Sequence, residues 1–436
     1  MKIRNFALIA SILMIAWLAS APWSAFGQGH TWPGTSLAQT VESARWRLDA
    51  LRINASLSLA NAGYDTDIYY GYFSQVTPDF TLTASVPVQI LLPISKKVVI
   101  EFNDAPQYLF YGKTERERAW NNTFNGRLHL ALDKVYIQVG GGLSNVRQRL
   151  SPELDVNIRQ KTDNLDGTFL WQTSERVSLA VLYGYARYDY GQAALEGFDL
   201  AAALNREEGF ADLMTHLQIG TKVRLYIDGQ YGRYTFTETS SRDRNARSYG
   251  ALGGLAFVPR EGEVRPIDPP QGSISLGYKY FDIIDPVRTD GSGFVGAVNF
   301  SIGLLAKTTA RIFFSRDFAF SAYSDGTFYL STTFGAGLSR RLSRRATLNY
   351  DVSFGRSDYP RPAWEGPPED RNYRFSSHSF DLNVRMARYL SLSVLAQLGR
   401  RSLGMASPRD RNFFGLSLTY GVPSGTIETP MRGLSR

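Results

Sequence analysis

From Ala346 to Gly355 the chain reads ATLNYDVSFG, with Ala346, Leu348, Tyr350, Val352 and Phe354 alternating against Thr347, Asn349, Asp351, Ser353 and Gly355. A repeat of two residues places one set on each face of an extended strand, so this segment predicts a strand with one apolar and one polar face. The alternation returns in Phe380–Met386, where Phe380, Leu382, Val384 and Met386 flank Asp381, Asn383 and Arg385. It returns again in Phe414–Val422, where Phe414, Leu416, Leu418, Tyr420 and Val422 flank Gly415, Ser417, Thr419 and Gly421. Clusters of Gly, Asn, Asp, Ser and Pro punctuate the chain about every twenty residues, and no convincing helical run follows the N-terminal segment.

These signals predict about eighteen strands, within a range of 16 to 18, near residues 47–61, 78–93, 97–112, 122–133, 134–147, 157–172, 176–190, 208–219, 222–237, 247–258, 272–283, 293–304, 308–320, 326–339, 344–356, 374–387, 389–401 and 410–422. No composition break divides residues 47–422, which predicts one large closed sheet: an all-β, antiparallel, up-and-down transmembrane β-barrel. The connections agree. Tight ones fall at Pro93–Lys97, Asp133–Lys134, Thr173–Arg176, Gly220–Lys222, Ala306–Thr309, Arg340–Arg344 and Ala387–Arg388. Longer polar ones intervene at Gly191–Glu207, Glu238–Arg244, Asp285–Ser292, Arg356–Arg371 and Ser402–Arg409. A barrel of the outer membrane has short turns on its periplasmic side and long loops outside, so both ends of the sheet belong in the periplasm.

Two places break the pattern. Val258–Gln271, VPREGEVRPIDPPQ, is long and proline-rich on the predicted periplasmic side, and is either a docking segment for a periplasmic partner or an inserted turn without a role. Pro87 lies inside the second predicted strand, where its missing N–H interrupts the ladder and implies a bulge.

Composition sharpens this reading. Of the 436 residues 43% are hydrophobic, and no stretch after the N-terminus reaches the roughly 20 apolar residues that a membrane helix needs. Aromatic residues make up 13% and spread along the strands, as the interfacial girdles of a barrel require. Residues 1–27 carry Lys2 and Arg4 before the apolar run Phe6–Leu18 and then small residues, the pattern of a signal peptide cleaved after Ala21 or Gly27. The expected layout is this signal, a periplasmic segment 28–46, the barrel 47–422 and a tail 423–436. Without the signal, 46 basic residues face 40 acidic ones, a mild excess that gives no nucleic-acid signature. There is no cysteine, so hydrogen bonding around the closed sheet must hold the fold without disulfides.

If the apolar sets, such as Val177, Leu179, Val181 and Tyr183 or Phe328, Leu330, Phe334 and Leu338, meet lipid, the opposite sets line the interior. The candidate lumen-lining residues are Asn125, Arg127 and His129; Asp212 and His216; Arg224 and Asp228; Asn349 and Asp351; and Asp381, Asn383 and Arg385. Sixteen to eighteen strands enclose room for water, so a polar inner wall implies a pore. Inward Arg127, Arg224 and Arg385 would attract an anion, while Asp212, Asp228, Asp351 and Asp381 partly cancel them.

Chemistry beyond passage finds little footing. The four histidines, His30, His129, His216 and His378, have no metal-ligand spacing. His129 and His216 read as solvated wall residues hydrogen-bonded to neighbours, and no histidine pairs clearly with a serine on a lipid-facing wall as a hydrolase would need. Gly140–Gly142 and Gly253–Gly254 lack the helix and the Lys-Ser/Thr of a phosphate cradle, and read as twist points or clearance for lumen side chains. Arg340–Arg341 and Arg344–Arg345 flank a predicted periplasmic turn and Arg400–Arg401 approaches the other rim; solvated rims are one reading, contact with anionic headgroups or an acidic solute the other. No catalytic, cofactor or metal site is expected.

Ile53–Gly71 (INASLSLANAGYDTDIYYG) and Arg409–Val422 (RDRNFFGLSLTYGV) resemble the opening and closing strands of the type 2 β-barrel porin family, outer-membrane barrels that often resemble components of exopolysaccharide export systems. Leu342–Tyr350 and Ala387–Val394 are similar to that family's turn-then-strand repeats. The closing strand also resembles the signal read by the barrel-assembly machinery, with Gly415, Leu418 and Tyr420 in place, although Phe413 stands where a polar residue is usual and further residues follow. The resemblance implies an exported polysaccharide as cargo and periplasmic polysaccharide-export components, outer-membrane lipids and the assembly machinery as partners. The expected function is non-enzymatic passage of a hydrophilic solute across the outer membrane of a diderm bacterium. The rivals are a general diffusion or small-solute uptake porin, a plugged structural or binding barrel, and an enzyme barrel.

Overall fold

The computed structural model describes residues 33–70, 75–149, 157–191, 194–195, 198–220, 222–257, 269–321, 327–359, 372–403 and 407–421. The expected signal peptide, the tail from residue 423 and nearly all of the Val258–Gln271 segment lie outside the described residues.

Eighteen antiparallel strands form one closed barrel. They are β1 Leu51–Asp65, β2 in two pieces Asp79–Ser85 and Val88–Pro93, β3 in two pieces Val98–Asp104 and Gln107–Tyr111, β4 Ala119–Ala131, β5 Val135–Arg149 and β6 Asn157–Gln172. Then come β7 Val177–Tyr190, β8 Arg206–Ile219, β9 Val223–Phe236, β10 Ala246–Phe257, β11 Gln271–Ile283 and β12 Gly291–Leu305. The last six are β13 Thr308–Phe320, β14 Phe328–Arg341, β15 Ala346–Asp358, β16 Tyr373–Ala387, β17 Leu390–Leu403 and β18 Arg409–Gly421. The periodicity alone places β6 and β13 residue for residue, because side-chain alternation is strict wherever one face meets lipid.

Each strand pairs with the next, and β18 returns to β1 from Ser56↔Gly421 to Asp65↔Phe413. Closure leaves no edge, and so no backbone polar group bare in lipid. The seam runs past a bulge at Asn61, whose φ is 53°. Beyond it the backbones approach so closely that a Cβ on Gly63 would lie 2.1 Å from the Phe414 carbonyl oxygen. Only glycine fits there.

Pro87 does interrupt β2, and the break is mirrored in β3 at Pro106. Val86 N–H donates to the Pro106 carbonyl at 3.1 Å and Ser56 N–H to that of Pro87 at 3.1 Å, so the missing donor bends the wall without opening it. No helix among the described residues is long and apolar enough to cross a membrane.

Among the described residues two α-helices correct the all-strand expectation: α1 Pro33–Ser43 and α2 Leu200–Leu204. Leu37 and Val41 lie one turn apart on α1 and pack against Leu91 and Val99 of the inner wall near a short turn. A single apolar stripe of two residues is too weak a sequence signal to mark a helix, and the barrel wall supplies the missing partner. α2 is capped by Asp199, whose side chain accepts from the Ala201 and Ala202 N–H groups at 3.0 and 3.2 Å.

Candidate functional site

Alternating burial separates the two faces of strands such as β4, β7 and β8. On β4 Trp120, Phe124 and Leu128 are exposed to the outside, while Asn121, Arg127 and His129 are buried on the inside. From β1 to β6 the inner side chains join hand to hand. Asn54 Nδ2 donates to Gln89 Oε1 at 3.0 Å, and Gln89 Nε2 to Glu101 Oε1 at 2.7 Å. Asn103 Nδ2 also donates to Glu101 Oε1 at 2.9 Å, and His129 Nε2 to Glu101 Oε2 at 3.0 Å. The Tyr136 hydroxyl lies 2.8 Å from His129 Nδ1 and 3.3 Å from Gln138 Oε1, and Gln138 Nε2 donates to Asp166 Oδ2 at 3.1 Å. Glu101 and His129 are both 0% exposed. A carboxylate so deep survives because every neighbour donates to it.

The same wall continues through β7 to β11, with Asp212, His216 and Asp228 buried among apolar residues. Ala180, Leu182, Met214, Tyr226 and Ala256 form an apolar cluster on the inner face, with Leu170 against it. Arg224 Nε donates to Gln218 Oε1 at 2.9 Å, and Gln230 Nε2 donates to Asp228. His129 and His216 are therefore not solvated wall residues. They are dry, because on this side the interior is filled and side chains cover one another. Clearance explains the glycines: a Cβ on Gly142 would meet Asn125 Oδ1 at 2.3 Å, and one on Gly254 the Tyr226 ring at 2.4 Å. His378 faces outward in the alternation of β16, 2.9 Å from the Tyr350 hydroxyl through Nδ1.

From β13 to β18 the inner face is different. Asn349, Asp351, Asp381 and Asn383 are half-buried and Arg385 is exposed, among Ser331, Thr333, Ser339, Thr347, Ser377, Ser379 and Ser393. Arg311 Nη2 meets Asp351 Oδ1 at 2.7 Å. Ser339 Oγ donates to Asn349 Oδ1 at 2.8 Å, Asn349 Nδ2 to Asp381 Oδ2 at 3.2 Å, and Ser393 Oγ to Asp381 Oδ1. Short hydroxyl and amide side chains leave room for water here.

Segments at both mouths fold inward. At the mouth with the short turns α1 rests on Leu91 and Val99. At the other mouth the connection after β1 turns in, burying Ile68, Tyr69 and Tyr70. Arg411 binds Asp65 through Nε at 3.0 Å and Nη2 at 2.5 Å, Arg409 meets Asp67 at 3.3 Å, and Arg401 donates to the Tyr70 carbonyl with its guanidinium 4.6 Å from the Tyr373 ring centre. The Tyr69 hydroxyl donates to Glu117 Oε1 at 3.2 Å and accepts from Arg116 at 2.8 Å; burial, outweighing Arg116, pushes the Tyr69 phenol above its ordinary value. Below this connection lies a cavity of ≈ 250 Å³ lined by Asp65, Ile68, Thr81, Thr83, Tyr111, Gln397 and Arg411.

A second inward element closes the opposite side of that mouth. Pairing of β12 with β13 stops at Gly296↔Arg316, although β13 runs on to Phe320. The released end turns in, so Phe318, Phe320 and Phe328 pack against Tyr234, Phe281 and Ile283. Phe328, expected against lipid, is thus 3% exposed inside the barrel. Lys279 ties this end down through Asp317. Arg244 bolts α2 to it, donating to the carbonyls of Ala203 at 2.7 Å, Thr327 at 3.4 Å and Ser321.

A family model described as "Putative beta-barrel porin 2" matches residues 100–405. The chain belongs to this β-barrel porin family. It is an outer-membrane protein of a diderm bacterium, a porin-like channel of a family without enzymatic chemistry. Among solved structures, this porin is similar to the outer membrane protein OpdK of Pseudomonas aeruginosa, at 9% identity and a TM-score of 0.50 over 85% of this chain and 98% of that one. OccK3 (OpdO) of Pseudomonas aeruginosa follows at 10% identity and 0.47, over 88% and 97%. OccAB2 of Acinetobacter baumannii stands at 12% and 0.46, over 85% and 98%. At such identity the likeness is one of fold. No curated protein matches the sequence.

Proposed function

We propose that this porin is a constricted, passive channel for small hydrophilic solutes, with its route along the β13–β18 wall. The observation that carries the reading is the contrast inside one barrel: most inner side chains from β1 to β11 are buried, whereas Asn349, Asp351, Asp381, Asn383 and their short neighbours midway along β14 to β17 stay in reach of water. Passage needs a continuous polar surface that solute can touch and leave, which the Ser, Thr and Asn lining offers. Folded protein in planar bilayers should give discrete current steps, and liposome swelling should fall off as sugars grow. Silence in both assays overturns the channel and leaves a plugged barrel, a reading favoured by the filled half. Polysaccharide export rests on the family resemblance alone, and the inward elements at both mouths weigh toward smaller cargo. Polysaccharide secretion lost in a deletion strain would reverse that preference.

A further inference from the structure

The β13–β18 route ends in the periplasm at three neighbouring turns that carry Lys307, Arg340, Arg341, Arg344, Arg345 and Arg385, all exposed. The turns touch: Arg341 N–H donates to the Lys307 carbonyl at 2.8 Å, and Arg385 N–H to that of Arg345 at 2.7 Å. Three of these arginines occupy inner register positions. Arg341 stands opposite Thr347 on β15, and Arg385 continues the inward row of Asp381 and Asn383 on β16. Arg345 faces Arg385 at the foot of β15. Among the described residues no carboxylate pairs with any of the three, and residues 339–347 and 384–391 contain no Asp or Glu.

Of the acids higher on the same wall, Asp351 is neutralised by Arg311 at 2.7 Å; Asp381, held by the neutral donors of Asn349 and Ser393, keeps its charge, and the three arginines outnumber it. Like charges gathered at one level concentrate positive potential at that end of the route. Low-dielectric walls focus that field along the route.

We propose that the channel selects anions, and that its permeant class is a small oxyanion, carboxylate or phosphate, drawn to the periplasmic exit by Arg341, Arg345 and Arg385. This rests on the channel reading above. The experiment is a reversal-potential measurement across a KCl gradient in planar bilayers at low ionic strength, on the full chain. Chloride should be favoured over potassium by about tenfold, and Arg341→Gln, Arg345→Gln and Arg385→Gln combined should bring the ratio close to one. Arg341→Lys, Arg345→Lys and Arg385→Lys combined, which retain the charge, should keep it. Heat-modifiable migration on a gel establishes that each variant is folded. Replacing chloride on one side by acetate or by phosphate then separates the two oxyanions. Current with cation preference, or a Gln variant as anion-selective as the parent, overturns the selectivity and leaves the channel standing; a rim that serves lipid headgroups gives this result. No current from folded protein overturns the channel itself, and the selectivity with it.

Discussion

The two inner walls of this barrel are made by the same strand geometry and behave as opposites. Around β1–β6 the inward groups Glu101, His129, Gln138 and Asp166 are polar and buried, and each finds its partner on the adjacent strand. Around β14–β17 they are mostly short, Ser339, Asn349, Ser377 and Ser393, and bond to one another without crossing the lumen. Strand number fixes how much space a barrel encloses, but side-chain length decides which part of that space water keeps. In the proposed channel a wide barrel thus becomes narrow, with one wall as scaffold and the other as route.

Breaking the seam that joins the walls should have the largest effect. Gly63→Val would drive side-chain carbons into the Phe414 carbonyl, and the variant should lose the heat-modifiable band of a folded barrel altogether. Next comes the hub of the scaffold wall. Glu101→Ala orphans donors from Gln89, Asn103 and His129 and should cost about 3 kcal/mol or more of stability by urea unfolding in detergent. Asp381→Ala on the route wall, where water can replace the lost carboxylate, should cost under about 1 kcal/mol. Equal losses would erase the distinction between the walls.

Smaller effects should be read in current rather than stability. Deleting residues 33–43 takes α1 from the periplasmic mouth and should raise single-channel conductance roughly twofold. Tyr70→Ala should widen the outer mouth by less, because the Arg411–Asp65 pair would still hold the connection in place. An unchanged conductance in both variants would move the constriction elsewhere.

Alternation alone assigns Asn125, Arg127, His129, Asp212, His216, Arg224, Asp228, Asn349, Asp351, Asp381, Asn383 and Arg385 to the inward set of their strands. What alternation misses is company. His129 and Asp381 have the same inward sense, yet one is dry and the other wet, since burial depends on strands distant in the chain. Phe328 carries the wrong sign for the same reason: its strand obeys the period, but the end of β13 has left β12 and swung inward.

By itself the sequence determined the strands, their number, the side on which turns are short and the face most side chains take, because a lipid boundary enforces a two-residue period that needs no knowledge of partners. Only the tertiary structure decided how much of the interior is filled, which connections enter it and which stretch of wall stays open to water. Those depend on contacts such as Leu37 with Leu91, Arg401 with Tyr70 and Arg244 with Thr327, made between segments whose spacing in the chain carries no trace of their meeting.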